Sequence, residues 1–285
     1  MSSVPRWCKG GSPPGSGAVM ISRRAVFAGG RKGSVRRDMV IAAYGGDPPV
    51  NAPSDQSFPQ RIDALRRALV EQGKRVEGAI ETVVEAVFER DAAKARSVIA
   101  MDETIDRVDV QIEKDAVALL TDAARRGCSM DENQVRMVLT IVKVNNEFER
   151  IGDLAADIAH RVETLIALKT PVPPKFRVMA NSVIGIMHQA NKALANMDAS
   201  AAQVLLKSDD ATEAFNRAVL RDVEEDLVKG KHSVDFAFAL NTIAAALARM
   251  ADHCTNVAEQ VIYVESGMIV RHLGDTWTAP QAPGV

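Results

Sequence analysis

Residues 145–162, NNEFERIGDLAADIAHRV, return in altered form at residues 246–261, ALARMADHCTNVAEQV. Aligning Arg150 with Arg249, Asp153 with Asp252, Ala159 with Ala258 and Val162 with Val261 needs one constant offset of 99 residues and no gap. A repeat of this length means that one helical unit is used twice, each copy offering an apolar face that the other elements must cover. It also sets acidic side chains at matching places in the two copies.

The rest of the chain agrees with a helical body. At 47% apolar but only 4% aromatic, its core must come from Ala, Val, Leu and Ile, the make-up of packed amphipathic helices. A length of 285 residues suits one or two domains. Charge is unevenly placed: residues 1–58 carry a net +5 and the remainder −7. An acidic body lacks the clustered positive surface that nucleic acid requires, so no nucleic-acid partner is expected. Cys8, Cys128 and Cys254 form neither a metal spacing nor a disulfide framework, which points to a reducing, cytoplasmic setting. With no run of 18 apolar residues, no membrane span is expected. The run Ser22-Arg23-Arg24-Ala25-Val26-Phe27 resembles the start of a twin-arginine export signal. Gly29, Gly30, Arg31, Lys32 and Gly33 interrupt the apolar stretch that should follow. The reading is therefore a disordered basic leader over 1–58, with Met39 as an alternative start.

Six helices are expected beyond it. The first, 59–89, places Ile62, Leu65, Leu69, Val76, Ile80, Val84 and Val87 on one face. The second spans 91–126 and stops at Gly127. The third is opened by a capping box at Ser129-Met130-Asp131-Glu132 and runs to residue 167. Pro171, Pro173 and Pro174 then separate the copies. The fourth covers 176–206, the fifth 209–228, and the sixth runs from a Ser233 cap to residue 265. The fold class is all-α: two tandem three-helix bundles, 59–169 and 174–272, with a disordered tail over 273–285. Asp102 to Asp153 is eight residues longer than Asp209 to Asp252, the loss of roughly one turn from each of two antiparallel helices.

On a helical wheel Glu149, Asp153, Asp157 and His160 share one face, while Phe148, Ile151, Leu154, Ala155, Ile158 and Val162 occupy the other. The acidic stripe is thus expected to point away from the core. Gly152, Ala156 and Ala159 form a flank of small residues where a neighbouring helix could come close. Asp102, Asp106, Asp109 and Glu113 make a similar stripe on the second helix, and Asp209 and Glu213 on the fifth. Like charges spaced i, i+4 destabilise a helix, and two such stripes side by side repel unless a cation lies between them. Clustered carboxylate oxygens suit Mg²⁺, Mn²⁺ or iron. His188 and His232 stand without an acidic constellation, and His253 sits beside the stripe.

Glu149-Arg150-Ile151-Gly152-Asp153, followed by Ala156-Asp157-Ile158-Ala159, resembles the signature of PhoU, a family of bacterial phosphate-signalling regulators. Arg249-Met250-Ala251-Asp252-His253, then Asn256-Val257-Ala258-Glu259, is similar to the family's second copy, and Val270-Arg271-His272 to its closing segment. The resemblance implies paired three-helix bundles with metal ions (iron, manganese, magnesium or zinc) on an E/D-x-x-x-D motif. It further implies contact with the ATPase subunit of a phosphate ABC transporter and with a sensor histidine kinase, and leaves a homodimer open. Carried over by position, it assigns metal binding to Asp102, Asp106, Glu149 and Asp153 in the first copy. In the second it assigns Asp209, Glu213 and Asp252, but Ala248 stands where the family has Glu, and Ala251 replaces Gly.

No nucleophile–base pair, phosphate-cradling loop or cofactor fingerprint stands out, so a non-enzymatic regulator of phosphate uptake and starvation signalling is the leading expectation. Two other readings are a di-metal carboxylate enzyme and a metal-free helical adaptor. The enzyme would need inward-facing Glu-x-x-His motifs on two helices; the nearest match is Asp157-Ile158-Ala159-His160.

Overall fold

The computed structural model describes residues 57–207 and 209–270. The leader expected over 1–58 lies outside them save for its last two residues, as does the tail over 273–285. Seven helices occur among the described residues: α1 (Phe58–Glu89), α2 (Ala92–Arg126), α3 (Glu132–Leu168), α4 (Pro174–Asn196), α5 (Ala199–Lys207), α6 (Asp209–Val228) and α7 (Val234–Ser266). No strand occurs among these residues.

Local chemistry explains the boundaries. Ser57 and Gln60 form a reciprocal capping box at the start of α1. Asp91 caps α2 by accepting from the Ala93 and Lys94 amides at 2.7 and 3.1 Å. Gly127, at φ +63°, ends α2 in the left-handed conformation that glycine adopts without strain. The capping box of α3 is built by Asp131 with Gln134, two residues later than the expected Ser129 box. Pro173 precedes α4 and Pro174 fills its first turn, where a missing N–H costs nothing.

The expected fourth helix is broken in two. Met197 adopts φ +51°, and the Asp198 carboxylate accepts from the Ala201 amide at 3.0 Å and the Ser200 hydroxyl at 2.6 Å. Asp198 therefore caps a new helix, α5, instead of continuing α4. α5 and α6 together stand where the first half has α2. Relative to the aligned aspartates, α6 ends about one turn early and α7 begins about one turn late, which accounts for the shorter second copy.

Every apolar position read for α1 is buried, from Leu69, Val76 and Ile80 at 0% exposure to Ile62 at 7%. Each such side chain removed from water contributes about 1.5–3 kcal/mol before chain entropy is counted. α1, α2 and α3 pack on one another, and α7 gathers α4, α5 and α6. The most extensive contact joins α3 and α7, the two helices that carry the repeat, while α1 also packs on α4. One continuous core of buried residues runs through both halves.

α7 qualifies the expectation of no membrane span. An 18-residue window within Val234–Ser266 reaches a mean hydropathy of 1.3, enough by length and composition to cross a membrane. Leu240, Ile243, Leu247, Met250, Val257 and Val261 are all buried in the core, and 56% of the window is buried, so the apolar character of α7 is that of a core helix with one face, including Phe238, Asn241 and Ala245, left exposed.

Candidate metal centre

α2 and α3 run antiparallel with their acidic stripes facing each other. Their approach depends on Gly152: a Cβ there would meet Ile105 Cδ1 and Cγ2 at 3.2 Å and Asp102 Oδ1 at 3.5 Å. The small-residue flank read from the sequence is thus the seam where α2 lies. This corrects the expectation that the stripe points wholly to solvent. Asp102 is 1% exposed; Asp106, Glu149 and Asp153 are half-buried; Asp157 and His160 alone remain exposed on the α3 stripe. The physical reason is a second apolar surface, Val98, Ile105 and Ile112 of α2, which buries itself against α3 and carries the interleaved aspartates inward.

Asp102, Asp106 and Asp153 each offer a carboxylate oxygen, and these three atoms lie within 4.8 Å of one another. Oxygens on opposite sides of one hard cation bound at about 2.0–2.6 Å lie about 4.0–5.2 Å apart, so this spread is compatible with a single ion. Glu149, expected as a fourth ligand, lies outside the triad. Burial, together with the charges of Asp153, Asp109 and Asp106, pushes its carboxyl up to about 7. Burial and Glu113 push Asp109 up to about 6. Both shifts have the same physical origin, carboxylates crowded together and partly withdrawn from water along one seam.

Asn145 fixes the register of the seam, donating to Asp109 Oδ1 at 2.6 Å and to the Asp109 carbonyl at 3.0 Å. Sequence reasoning missed this residue, although it opens the repeated segment.

The second copy is built differently. The side chain of Asp209 lies outside the described residues. Glu213 is exposed and paired with Arg217. Asp252 is exposed too; partial desolvation and, secondarily, the charge of Glu213 raise its carboxyl above the ordinary range, against the pull of His253 and Arg249. The geometry leaves Asp252 within the field of Glu213 without a triad like that of the first copy among the described residues.

The histidines also need correction. His188 on α4 meets Glu77 on α1 at 2.8 Å, and Asn191 donates to the same carboxylate at 2.7 Å. His253 on α7 meets Glu147 on α3 at 2.7 Å, and Asn256 donates to it at 3.0 Å. Two H-x-x-N pairs of the second half thus each grip one carboxylate of the first. The recurrence of H-x-x-N at 188–191 and 253–256 was the signal available in the sequence.

A family model described as the PhoU domain matches residues 69–162 and again residues 176–261, one match in each half of this fold. The chain belongs to the PhoU family. It is 30% identical over 212 residues to the phosphate-specific transport system accessory protein PhoU homolog 1 of Thermotoga maritima, covering 74% of this chain and 89% of that protein. It is 23% identical to the accessory protein PhoU of Escherichia coli over 76% of this chain and 88% of that one. The crystal structure of PhoU from Pseudomonas aeruginosa superposes with a TM-score of 0.70 at 25% identity, covering 74% of this chain and all of that structure.

Proposed function

We propose that this PhoU-family chain is a non-enzymatic regulator of phosphate uptake and of the phosphate-starvation response. It acts by binding the ATPase subunit of a phosphate ABC transporter and a sensor histidine kinase. The observation that carries this reading is the double PhoU match together with relatives that the chain covers to 89% of their length and whose name assigns them to a phosphate transport system. The acidic surface adds a physical constraint: a body of net −7 is repelled by anionic lipid, so a protein partner must bring it to the membrane.

A metal ion belongs to the same reading. Asp102, Asp106 and Asp153 would hold it, with Glu149 one turn away. When bound, the ion supplies positive charge that lets the seam carboxylates stay ionised and ties α2 to α3. In the second copy Asp209, Glu213 and Asp252 would form a weaker site, because Ala248 removes a carboxylate that the first copy has in Glu149. Iron, manganese, magnesium and zinc all suit carboxylate oxygens to differing degrees. The exposed pair Asp157 and His160 does not supply the inward-facing motif that a di-metal enzyme needs.

Affinity capture of the tagged protein from its own cells tests the proposal. It should bring down a phosphate-transporter ATPase or a sensor kinase, and loss of the gene should leave phosphate-starvation genes on in rich medium. Capture of neither, with starvation genes unaffected by the deletion, would refute it.

A further inference from the structure

The repeat relates two hollows at opposite ends of the α3–α7 contact. These helices pair antiparallel: the Lys143 ammonium lies 5.5 Å from the Tyr263 ring centroid, and Glu147 meets His253. The offset of 99 residues carries Lys143 to Thr242, Arg161 to Gln260 and Thr164 to Tyr263. Lys143, Gln260 and Tyr263 line a cavity of about 70 Å³ near the end of α7. Thr242, Arg161 and Thr164 line a groove of about 540 Å³ where α3 ends and α7 begins. The two hollows are therefore one feature built twice, exchanged by the approximate twofold symmetry of the α3–α7 crossing.

They differ in what fills them. Beyond Gly267 the chain leaves α7, and Val270 packs into the first hollow, 7% exposed and part of the core. The same offset takes Val270 to Pro171, which is exposed and does not line the second. There the linker is drawn aside: the Arg90 guanidinium donates to the Thr170 carbonyl, and Pro174 opens α4. The second groove keeps its walls and lacks its plug. Phe238, on its wall, stands 67% exposed, apolar surface that burial under a partner would remove from water. Arg161–Leu168 and Asp235–Thr242 each span about 10 Å of helix. Antiparallel pairing sets Arg161 at one end of the groove and Asp235 at the other. Both are exposed, and neither forms an ion pair among the described residues. Extended chain covers such a length in three or four residues, at about 3.3 Å each.

We infer that the groove between the end of α3 and the start of α7 docks an extended segment of a partner protein, acidic at one end, apolar in the middle and basic at the other. Its carboxylate faces Arg161, its apolar pair covers Phe238 and Leu168, and its cation faces Asp235. The occupant is a stretch of polypeptide because a stretch of polypeptide fills the twin hollow. This deepens the reading of the chain as a partner-binding regulator, and rests on it for the existence of a partner but not for the chemistry of the groove.

NMR titration of the full chain with a capped Glu-Ile-Val-Lys peptide tests this, its middle pair being that of Ile269 and Val270. The expected result is one site whose amide shifts centre on Arg161, Thr164, Phe238 and Thr242, with Lys143 and Tyr263 unmoved behind their own plug. A Glu-Ser-Ser-Lys peptide should bind more weakly by about tenfold or more, because the apolar pair is the anchor. Phe238→Ser and Arg161→Gln change exposed side chains, so both variants should keep their helix content. The first should lose peptide affinity by about tenfold or more, and the second by about two- to fivefold, the range of an exposed ion pair. No shift at these residues, unchanged affinity in Phe238→Ser, or equal binding of the serine peptide would each overturn the inference. Phosphatidylcholine vesicles that bind the parent chain through Phe238, with the peptide ignored, would overturn it in favour of lipid. None of these outcomes bears on whether a transporter ATPase or a sensor kinase is captured, which tests the function itself.

Discussion

The side-chain amide of Asn191, on α4, donates to the backbone carbonyl of Gly73, on α1, at 3.0 Å. This close crossing of the two halves is possible because position 73 has no side chain: a Cβ there would meet Phe148 Cζ at 2.9 Å and the Asn191 side chain closer still. Gly73→Ala should therefore destabilise the protein by about 1–3 kcal/mol, as overpacking does. Gly78, five residues along the same helix, has nothing within 4 Å of its Cβ position. Gly78→Ala should stabilise by about 0.5–1 kcal/mol through helix propensity alone. Paired denaturant melts decide; equal effects at the two sites would remove the crossing from the account.

Gly152 makes the corresponding prediction at the carboxylate seam. A valine there presses on Ile105, already 3.2 Å from the Cβ position and fully buried. Gly152→Val should cost about 1–3 kcal/mol and weaken Mn²⁺ binding, because it parts α2 from α3. Loss of stability with metal affinity intact would mean that the two helices need not approach for the ion to bind.

The raised carboxyls give a pH dependence of definite sign. Glu149 sits at about 7 against an ordinary 4.5, and Asp109 at about 6 against 3.8. Between those values the folded protein holds protons that the unfolded chain has released, so stability is full at the acid end and falls as pH rises towards about 7. The metal-free protein should show this decline in thermal melts; Glu149→Gln should flatten it. Saturating Mn²⁺ should reverse the slope, since a cation favours the ionised forms. A metal-free melt that is level from pH 4 to 7 would contradict the crowding of charge described in the seam.

Much of this architecture was legible in the sequence because it is periodic. The α1 stripe from Ile62 to Val87, the apolar face of α3 and the proline break at 171–174 all read correctly. The break at Met197 was not legible, because a single Asp198 cap competes with a helical pattern that continues on both sides of it. The acidic stripes that hold Asp102, Asp106 and Asp153 followed from spacing and their grouping, with Glu149, from the family resemblance, but the inward turn of Asp102 did not, since a wheel places a residue on a face and leaves open what packs there. The Glu77 and Glu147 grips were missed for the same reason: their partners lie more than 100 residues away.

The two copies should differ in metal affinity. Asp252 is exposed, and Ala248 stands where the first copy has Glu149. Asp252→Ala should leave the tighter class of Mn²⁺ site unchanged in a binding titration. A loss equal to that caused by changing the first copy would reverse the ranking.

The most direct measurement is a Mn²⁺ titration of the purified chain and of Asp106→Asn combined with Asp153→Asn, with helix content followed by circular dichroism. Both substitutions keep size and shape while removing two of the three converging charges. The account predicts one tight class of site in the parent protein and its disappearance in the double variant, with helix content unchanged. Tight binding that survives in the folded double variant would contradict it.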